Sequence, residues 1–206
     1  MVSTSMVRLL EKVRACKVCE PHLPLGAKPV LAASSQSRIL LIGQAPGRKV
    51  HETGIAWNDP SGDNLRNWLG LDKEQFYNPD LVAIVPMGFS DLVAIVPMGF
   101  CYPGAGKSGD LPPRPECAPL WHAKLLEKMP YIILTVLIGR YAQGYYLKDR
   151  AYKTLTETVQ HYKEYLPQYL PLPHPSPRNR IWQQRNPWFE EEVLPELRQR
   201  VQRALK

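Results

Sequence analysis

The chain has 206 residues, of which 44% are apolar and 22% charged, a balance that excludes a disordered or collagen-like polymer and suits one buried domain. Twenty-six Lys and Arg against 19 Asp and Glu leave a formal charge of +7, which biases the surface toward polyanions without naming one. The longest apolar runs, such as Tyr131 to Gly139, are too short to cross a bilayer, and Met1 to Ser5 has no basic stretch leading into an apolar core, so a soluble, unexported chain is expected.

In chain order, Cys16 and Cys19 come first, spaced by two residues. Arg38-Ile-Leu-Leu-Ile-Gly43 reads as a buried parallel strand opening into the tight loop Gln44-Ala-Pro-Gly47. A helix is expected over roughly Asn64 to Leu69. Next, Asp80 to Phe89 recurs unchanged as Asp91 to Phe100, an 11-residue period that occurs only twice and so is no solenoid. Each copy reads as one buried strand, and a closed sandwich offers one interior slot there. The second copy is expected to fill it, because it leads directly into Cys101 and the proline-rich stretch Pro103 to Pro119; the duplication itself reads as a feature of the gene without function.

Helices are then expected over Pro115 to Met129, Arg140 to Leu147 and Thr156 to Tyr165, with strands at Tyr131 to Gly139 and at Tyr169-Leu-Pro-Leu-Pro, which runs into His174. A C-terminal helix is predicted with Asn186 as its cap, Pro187 in its first turn, Glu190 to Glu192 at the positive end of its dipole, and a kink at Pro195. Strands alternating with helices imply a three-layer α/β/α sandwich on a short, mainly parallel sheet of about four strands, forming a single domain over residues 1–206. Ligands of such sheets bind at the carboxyl ends of the strands, so Gly43-Gln44 and His174 are expected to share a cleft although 130 residues separate them.

Two constellations carry chemistry. In His174-Pro-Ser-Pro-Arg-Asn179, two prolines stiffen the backbone and hold a histidine beside Ser176, Arg178 and Asn179, which is how a site becomes preorganised; a rigid surface turn has the same sequence. Cys16, Cys19, Cys101 and Cys117 are more suggestive of metal, catalysis or burial than of disulfides. Four thiolates suit either zinc or a 4Fe-4S cluster.

Together these segments resemble the uracil-DNA glycosylase superfamily from Cys16 to about Phe189. Gly43-Gln-Ala-Pro-Gly47 is similar to the first motif of its thermostable, iron-sulfur branch, and Gly54-Ile-Ala-Trp57 to the loop whose aromatic residue stacks on the extruded base. Leu137-Ile-Gly-Arg-Tyr-Ala142 resembles that branch's third strand and following helix; His174 to Asn179 looks like the second motif of the single-strand-selective monofunctional enzymes. The cysteine spacing is similar to the iron-sulfur arrangement, so the resemblance favours a 4Fe-4S cluster over zinc, tying the N-terminal segment to the loop after the second strand.

The resemblance implies a monofunctional DNA glycosylase of base-excision repair, a monomer acting in the cytoplasm at the nucleoid on DNA that carries uracil or another deaminated base, with no membrane partner. His174 would donate a hydrogen bond to the base oxygen where negative charge accumulates. Gln44 would contact the base and help place water, with Gly43, Ala45, Pro46 and Gly47 around the base and Trp57 stacked on it. Ser176 would grip phosphate, with Pro177, Arg178 and Asn179 on the DNA and the last two entering the gap left by the flipped nucleotide. Trp57 also reads as a core aromatic and Arg178 as a solvated loop charge.

Two positions depart from the superfamily pattern. Ala45 stands where the most active members place a water-orienting aspartate, leaving His51, Glu52 and Asp59 as candidates. Val96-Pro97-Met98-Gly99 lacks the asparagine that reads the base edge. These departures motivate the alternative of a catalytically inactive DNA-binding or damage-sensing member of the same fold. Arg178, Arg180 and Arg185, with Trp182 and Trp188 beside them, read equally as a stripe for single-stranded or distorted DNA and as a charged loop against an aromatic helix face.

Overall fold

The computed structural model describes residues 4–77, 92–107 and 109–206. The first copy of the repeat, Asp80 to Ser90, lies outside the described residues. The second copy supplies the strand: β2 (Val93–Ile95) pairs in parallel with β1 (Ile39–Ile42). β1 pairs in turn with β5 (Leu134–Ile138), which pairs with β6 (Tyr169–Leu172), so the sheet runs β2-β1-β5-β6 with every pairing parallel. A small antiparallel hairpin, β3 (Ala105–Gly106) with β4 (Gly109–Asp110), projects from the segment after β2.

Near-continuous apolar runs make these strands because both faces of the sheet are covered, and the period-two alternation of a strand then sorts each run between two cores. Ile39, Leu41, Val93, Ile95, Val136, Ile138 and Leu172 point into one core. That core is closed by Val50 of the short α2 (Arg48–Thr53), Leu65 and Trp68 of α3 (Pro60–Leu69), and Leu197 and Val201 of α9 (Leu194–Leu205). Leu40, Ile42, Ala94, Val96 and Leu137 point into the other, against α1 (Thr4–Arg14), α5 (Cys117–Glu127) and α6 (Arg140–Leu147). Each fully buried aliphatic side chain contributes about 1.5–3 kcal/mol. The expected three-layer α/β/α architecture is the one observed. Among the described residues no helix is long and apolar enough to cross a membrane.

Helix boundaries differ from expectation for local reasons. α3 starts at Pro60, not Asn64, because the Asp59 carboxylate accepts the Gly62 amide as its N-cap. Between α3 and β2 stands a short α4 (Lys73–Tyr77). α7 (Leu155–Gln160) begins with a reciprocal capping box between Thr154 and Glu157 and gives way to a tighter turn over Tyr162–Tyr165. A separate helix precedes the predicted C-terminal one: α8 (Arg180–Arg185) ends at Asn186, whose side chain donates to the Trp182 carbonyl at 2.7 Å instead of capping the next turn. The predicted C-terminal helix follows: the Asn186 and Pro187 carbonyls accept from the Phe189, Glu190 and Glu191 amides, a wide π-helical turn over Phe189–Val193 runs unbroken into α9, and Pro195 stands in the first turn of α9, just past that wide turn.

Two buried polar side chains align the carboxyl ends of the strands. Gln143 of α6 donates from Nε2 to the carbonyls of Leu137 (3.3 Å) and Leu172 (2.9 Å), fastening the ends of β5 and β6 together. His122 of α5 lies fully buried, its Nε2 at 3.0 Å from the Pro97 carbonyl just after β2 and its Nδ1 at 2.7 Å from the Tyr146 hydroxyl. A carbonyl only accepts, so Nε2 carries the proton and Nδ1 receives the tyrosine's. Burial lowers the pKa of His122 from 6.5 to about 4, which keeps the native ring neutral.

This makes stability fall with pH in a defined window. Between about 6.5 and about 4 the unfolded chain binds a proton that native His122 refuses, so stability present above pH 6.5 is progressively lost below it. Urea unfolding of His122→Phe, compared with the parent at pH 7.5, 5.5 and 4.5, is expected to show lower stability at pH 7.5 by about 1–3 kcal/mol, since Tyr146 and Pro97 lose their partner, and a visibly shallower decline toward pH 4.5. An unchanged slope would exclude His122 as the titrating group.

Candidate active site

The carboxyl ends of β1, β2 and β6 open into a cavity of about 440 Å³. Its lining brings together Gly43, Gln44, Ala45, Pro46 and Gly47 from the loop after β1, Trp57 and Asp59 from the approach to α3, Pro97 after β2, and His174, Ser176 and Arg178 after β6. Gln44 and His174 therefore meet across one cleft. Pro177 is exposed and does not border the cavity, and Asn179 faces an adjoining hollow of about 340 Å³.

His174 is held at three points. The Ser176 amide donates to its Nδ1 at 3.2 Å, the Asn179 side-chain amide donates to its carbonyl at 2.7 Å, and Asn64 of α3 donates to the neighbouring Pro175 carbonyl at 2.9 Å. The first bond fixes the tautomer: Nδ1 accepts, so in the neutral ring the proton is on Nε2. Burial lowers the His174 pKa, with the Asp59 carboxylate opposing; the ring is a neutral donor at physiological pH. Asn179, expected in the gap of a distorted duplex, spends its amide on the histidine loop. Ser176 uses Oγ to accept the Arg178 amide and so starts the tight turn Pro177–Asn179.

Trp57 adopts a left-handed backbone, φ 57°, which a bulky residue takes only when its surroundings impose it. Here they do. Its carbonyl accepts from the buried Arg66 guanidinium at 3.3 Å, and the preceding Ala56 carbonyl accepts from the Tyr77 hydroxyl at 2.7 Å. Gly62 lies so close that a Cβ there would overlap the Trp57 carbonyl oxygen, while a Cβ at Gly43 would come within 3.0 Å of the indole. The ring lies at the cavity wall, 6.0 Å from the His174 ring and tilted by 39°.

The loop after β1 is equally fixed. The Gly43 and Gln44 carbonyls accept from the amides of Met98 and Gly99, and Gln44 Nε2 donates to the Leu111 carbonyl at 3.1 Å. Pro97 has no amide and its carbonyl is taken by His122, so the end of β2 presents an apolar wall beside Val30 and Ile95. Of the three water-handling candidates, only Asp59 lines the cavity. Glu52 pairs with Arg48 on the surface, and His51 is buried against Tyr102, its Nδ1 without a partner among the described residues. Asp110, at the end of β4, also lines the cavity; a lone acid in a glycine-rich stretch has no periodicity or motif to mark it.

The arginine stripe resolves toward the packed reading. Trp182 and Trp188 meet Phe189 edge-on, and Trp182 Nε1 donates to Thr156 Oγ1 at 2.8 Å, so both indoles serve the core edge. Arg178 alone of the three arginines borders the cavity.

The four cysteines border a second, tight and mostly apolar pocket between the end of α1, the loop after β2 and the start of α5. No disulfide joins them. The Phe100 amide donates to Cys117 Sγ at 3.5 Å, and burial, with the other sulfurs adding, pushes Cys101 up to about 11 and Cys117 up to about 12. Such sulfurs ionise only beside a cation, and a four-thiol set is the right chemistry for zinc or an iron-sulfur cluster. Among the described residues, however, no three His, Cys, Asp or Glu side chains stand in an arrangement that would hold an ion.

The wedging of Trp57 against Gly62 is open to measurement. Gly62→Ala is expected to cost about 1–3 kcal/mol and to shift the tryptophan emission. Gly144→Ala, at a helical glycine with open space around its added Cβ, is expected to gain about 0.5–1 kcal/mol. Equal stability of the two variants by urea denaturation would contradict the packing described.

Residues 31–198 match the family model of the uracil DNA glycosylase superfamily. The match spans the whole four-stranded sheet, the cavity lining apart from Val30, and two of the cysteines, Cys101 and Cys117; Cys16 and Cys19 precede it. A match over most of the chain, on a parallel four-stranded α/β fold with its cavity at the carboxyl ends of the strands, shows that the chain belongs to the uracil DNA glycosylase superfamily.

Proposed function

We propose that the protein is a monofunctional DNA glycosylase that hydrolyses the N-glycosidic bond of uracil or another deaminated base in base-excision repair. The observation that carries this reading is His174: a neutral ring with its Nε2 proton fixed by the Ser176 amide, in one cavity with Gln44 and Trp57. Breaking the bond leaves an electron pair on the departing base. A neutral donor beside the base oxygen strengthens as that charge forms and needs no reorganisation. Trp57 offers its face to the extruded base, and Ser176 and Arg178 sit where the flanking phosphates enter. Among the described residues no lysine lines the cavity, which favours water over an amine nucleophile. The +7 charge suits DNA as partner.

Which base is released depends on an unusual wall. With Pro97 at the end of β2, no side-chain amide pairs with the base edge from that strand, and this favours a base other than uracil, or the second reading: a damage-binding member without catalysis. A base-release assay over oligonucleotides carrying uracil, hypoxanthine and xanthine separates them. Release from at least one substrate is expected, falling about 10²–10³-fold in His174→Ala with the fold retained, because the bonds to the His174 and Pro175 carbonyls do not involve the imidazole and only the Ser176 amide loses its partner. Equal activity in that variant would refute the role, and lesion-selective binding without release would favour the second reading.

For the cysteines we propose a 4Fe-4S cluster, with zinc as the alternative, held by Cys16, Cys19, Cys101 and Cys117 in a structural role. When bound it would supply a cross-link between the N-terminal segment and the loop after β2 rather than chemistry at the base. Protein purified without oxygen is expected to contain iron and acid-labile sulfide and to show visible absorbance that reductant bleaches. Stoichiometric zinc without iron would select the alternative, and the absence of both would refute a metal centre.

A further inference from the structure

One carboxylate at the cavity mouth is left without a role by the glycosylase reading. Asp110 borders both the main cavity and the adjoining hollow, two spaces that also share Gln44 and His174, so these three side chains form the ridge between them. A Cβ at Gly47 would lie 3.6 Å from Asp110 Oδ2 and 3.8 Å from Asp59 Oδ2. Both carboxylates thus flank the end of the loop in which Ala45 carries none.

Asp110 is fixed from several sides. It pairs across the β3-β4 hairpin with Ala105, it is hydrogen-bonded to the Tyr102 side chain, and Arg178 and Asp59 face its carboxylate. The carbonyl of the next residue, Leu111, accepts from the Gln44 side chain, which ties Gln44 to the strand end that carries Asp110. Although the residue is exposed as a whole, partial desolvation of its carboxylate raises its pKa, opposed by Arg178 and the Tyr102 bond and reinforced by Asp59. Asp59 differs in one respect: its Oδ1 is committed to the Gly62 amide as the cap of α3. The oxygens of Asp110 carry no such structural duty to a helix.

We propose that Asp110 is a catalytic residue that faces the sugar of an extruded nucleotide, stabilises the positive charge that develops there and accepts the proton of the attacking water. This rests on the glycosylase reading. In the step, the bond between C1′ and the base nitrogen breaks with its electron pair leaving on the base. Water oxygen bonds to C1′, and one water proton passes to the Asp110 carboxylate. The products are the base anion, which takes up a proton from solvent, and an abasic sugar. An anion across the ring from the departing base and a neutral donor on the base itself together match the charge separation of this reaction.

The test uses the full chain and two abasic-site analogues in otherwise identical oligonucleotides, a cationic pyrrolidine and a neutral tetrahydrofuran. The parent is expected to bind the cationic analogue about tenfold more tightly, a difference of about 1.4 kcal/mol. Asp110→Asn is expected to lose that preference, to bind tetrahydrofuran DNA within about twofold of the parent, and to release base about 10²–10³-fold more slowly. Asp110→Glu should recover part of the preference and Asp59→Asn should retain it. A parent with no charge preference, an Asp110→Asn protein that keeps its preference and its rate, or loss of preference in Asp59→Asn instead, would each overturn the assignment. A preference erased by Asp110→Asn in a parent that releases no base would sink the glycosylase reading while leaving Asp110 beside the sugar.

Discussion

The Ser176 amide donates to Nδ1 of His174, and this bond leaves Nε2 as the proton-bearing atom of the ring. A histidine free to exchange tautomers or to charge would offer an anion at the base a donor only part of the time. Here the tautomer is set by backbone geometry and the charge by burial. The remainder of the fold serves that placement. Gln143 joins the ends of β5 and β6, the Gly139 amide bonds to the Leu172 carbonyl, and the two asparagines grip the loop that leaves β6.

The same economy governs Trp57. Its left-handed backbone is held by Arg66, which lies 6% exposed and also bonds the Tyr77 hydroxyl. A buried guanidinium with several acceptors is costly to place but hard to displace, so the indole is clamped by polar groups behind it and by two glycines that leave it room. Strain of this kind persists where neighbours over-determine the backbone, and an aromatic platform for a flat ligand profits from it.

Much of the architecture is legible in the sequence because it rests on local pattern. The apolar runs of β1, β5 and β6, their glycine or histidine ends and the second repeat copy specify the sheet, and the sheet brings Gln44 to His174. The features that escape such a reading depend on tertiary partners. Asp110 and His122 owe their surroundings to chain segments far away in sequence. Asn179 reads like a DNA contact, yet its amide turns inward to the His174 carbonyl. The break after α8 comes from a competition at Asn186, which can cap the helix behind it or the one ahead and takes the former. Trp182 and Trp188 read evenly as a DNA stripe or a core edge, and only the position of Phe189 decides.

The segment from β2 to α5 connects these features into one device. It carries, in order, Pro97 at the cavity wall, Cys101, Tyr102, the hairpin with Asp110, Leu111, and Cys117 at the start of α5. It contains many prolines and glycines, and its hairpin has only two residues per strand, too little to hold itself in place. Its order therefore comes from its neighbours, the Gln44 side chain on the Leu111 carbonyl, the Leu111 amide on the Gly104 carbonyl and the Tyr102 side chain on Asp110, and from its ends. A metal centre at Cys101 and Cys117 would staple both ends to the N-terminal segment, and the loop so closed would lose the conformational freedom that otherwise opposes fixing Asp110 and Leu111 over the cavity. In that arrangement the sulfurs affect catalysis only through the geometry of the loop between them. Glycosylase activity would then depend on the metal through stability and preorganisation, never through electron transfer at the base.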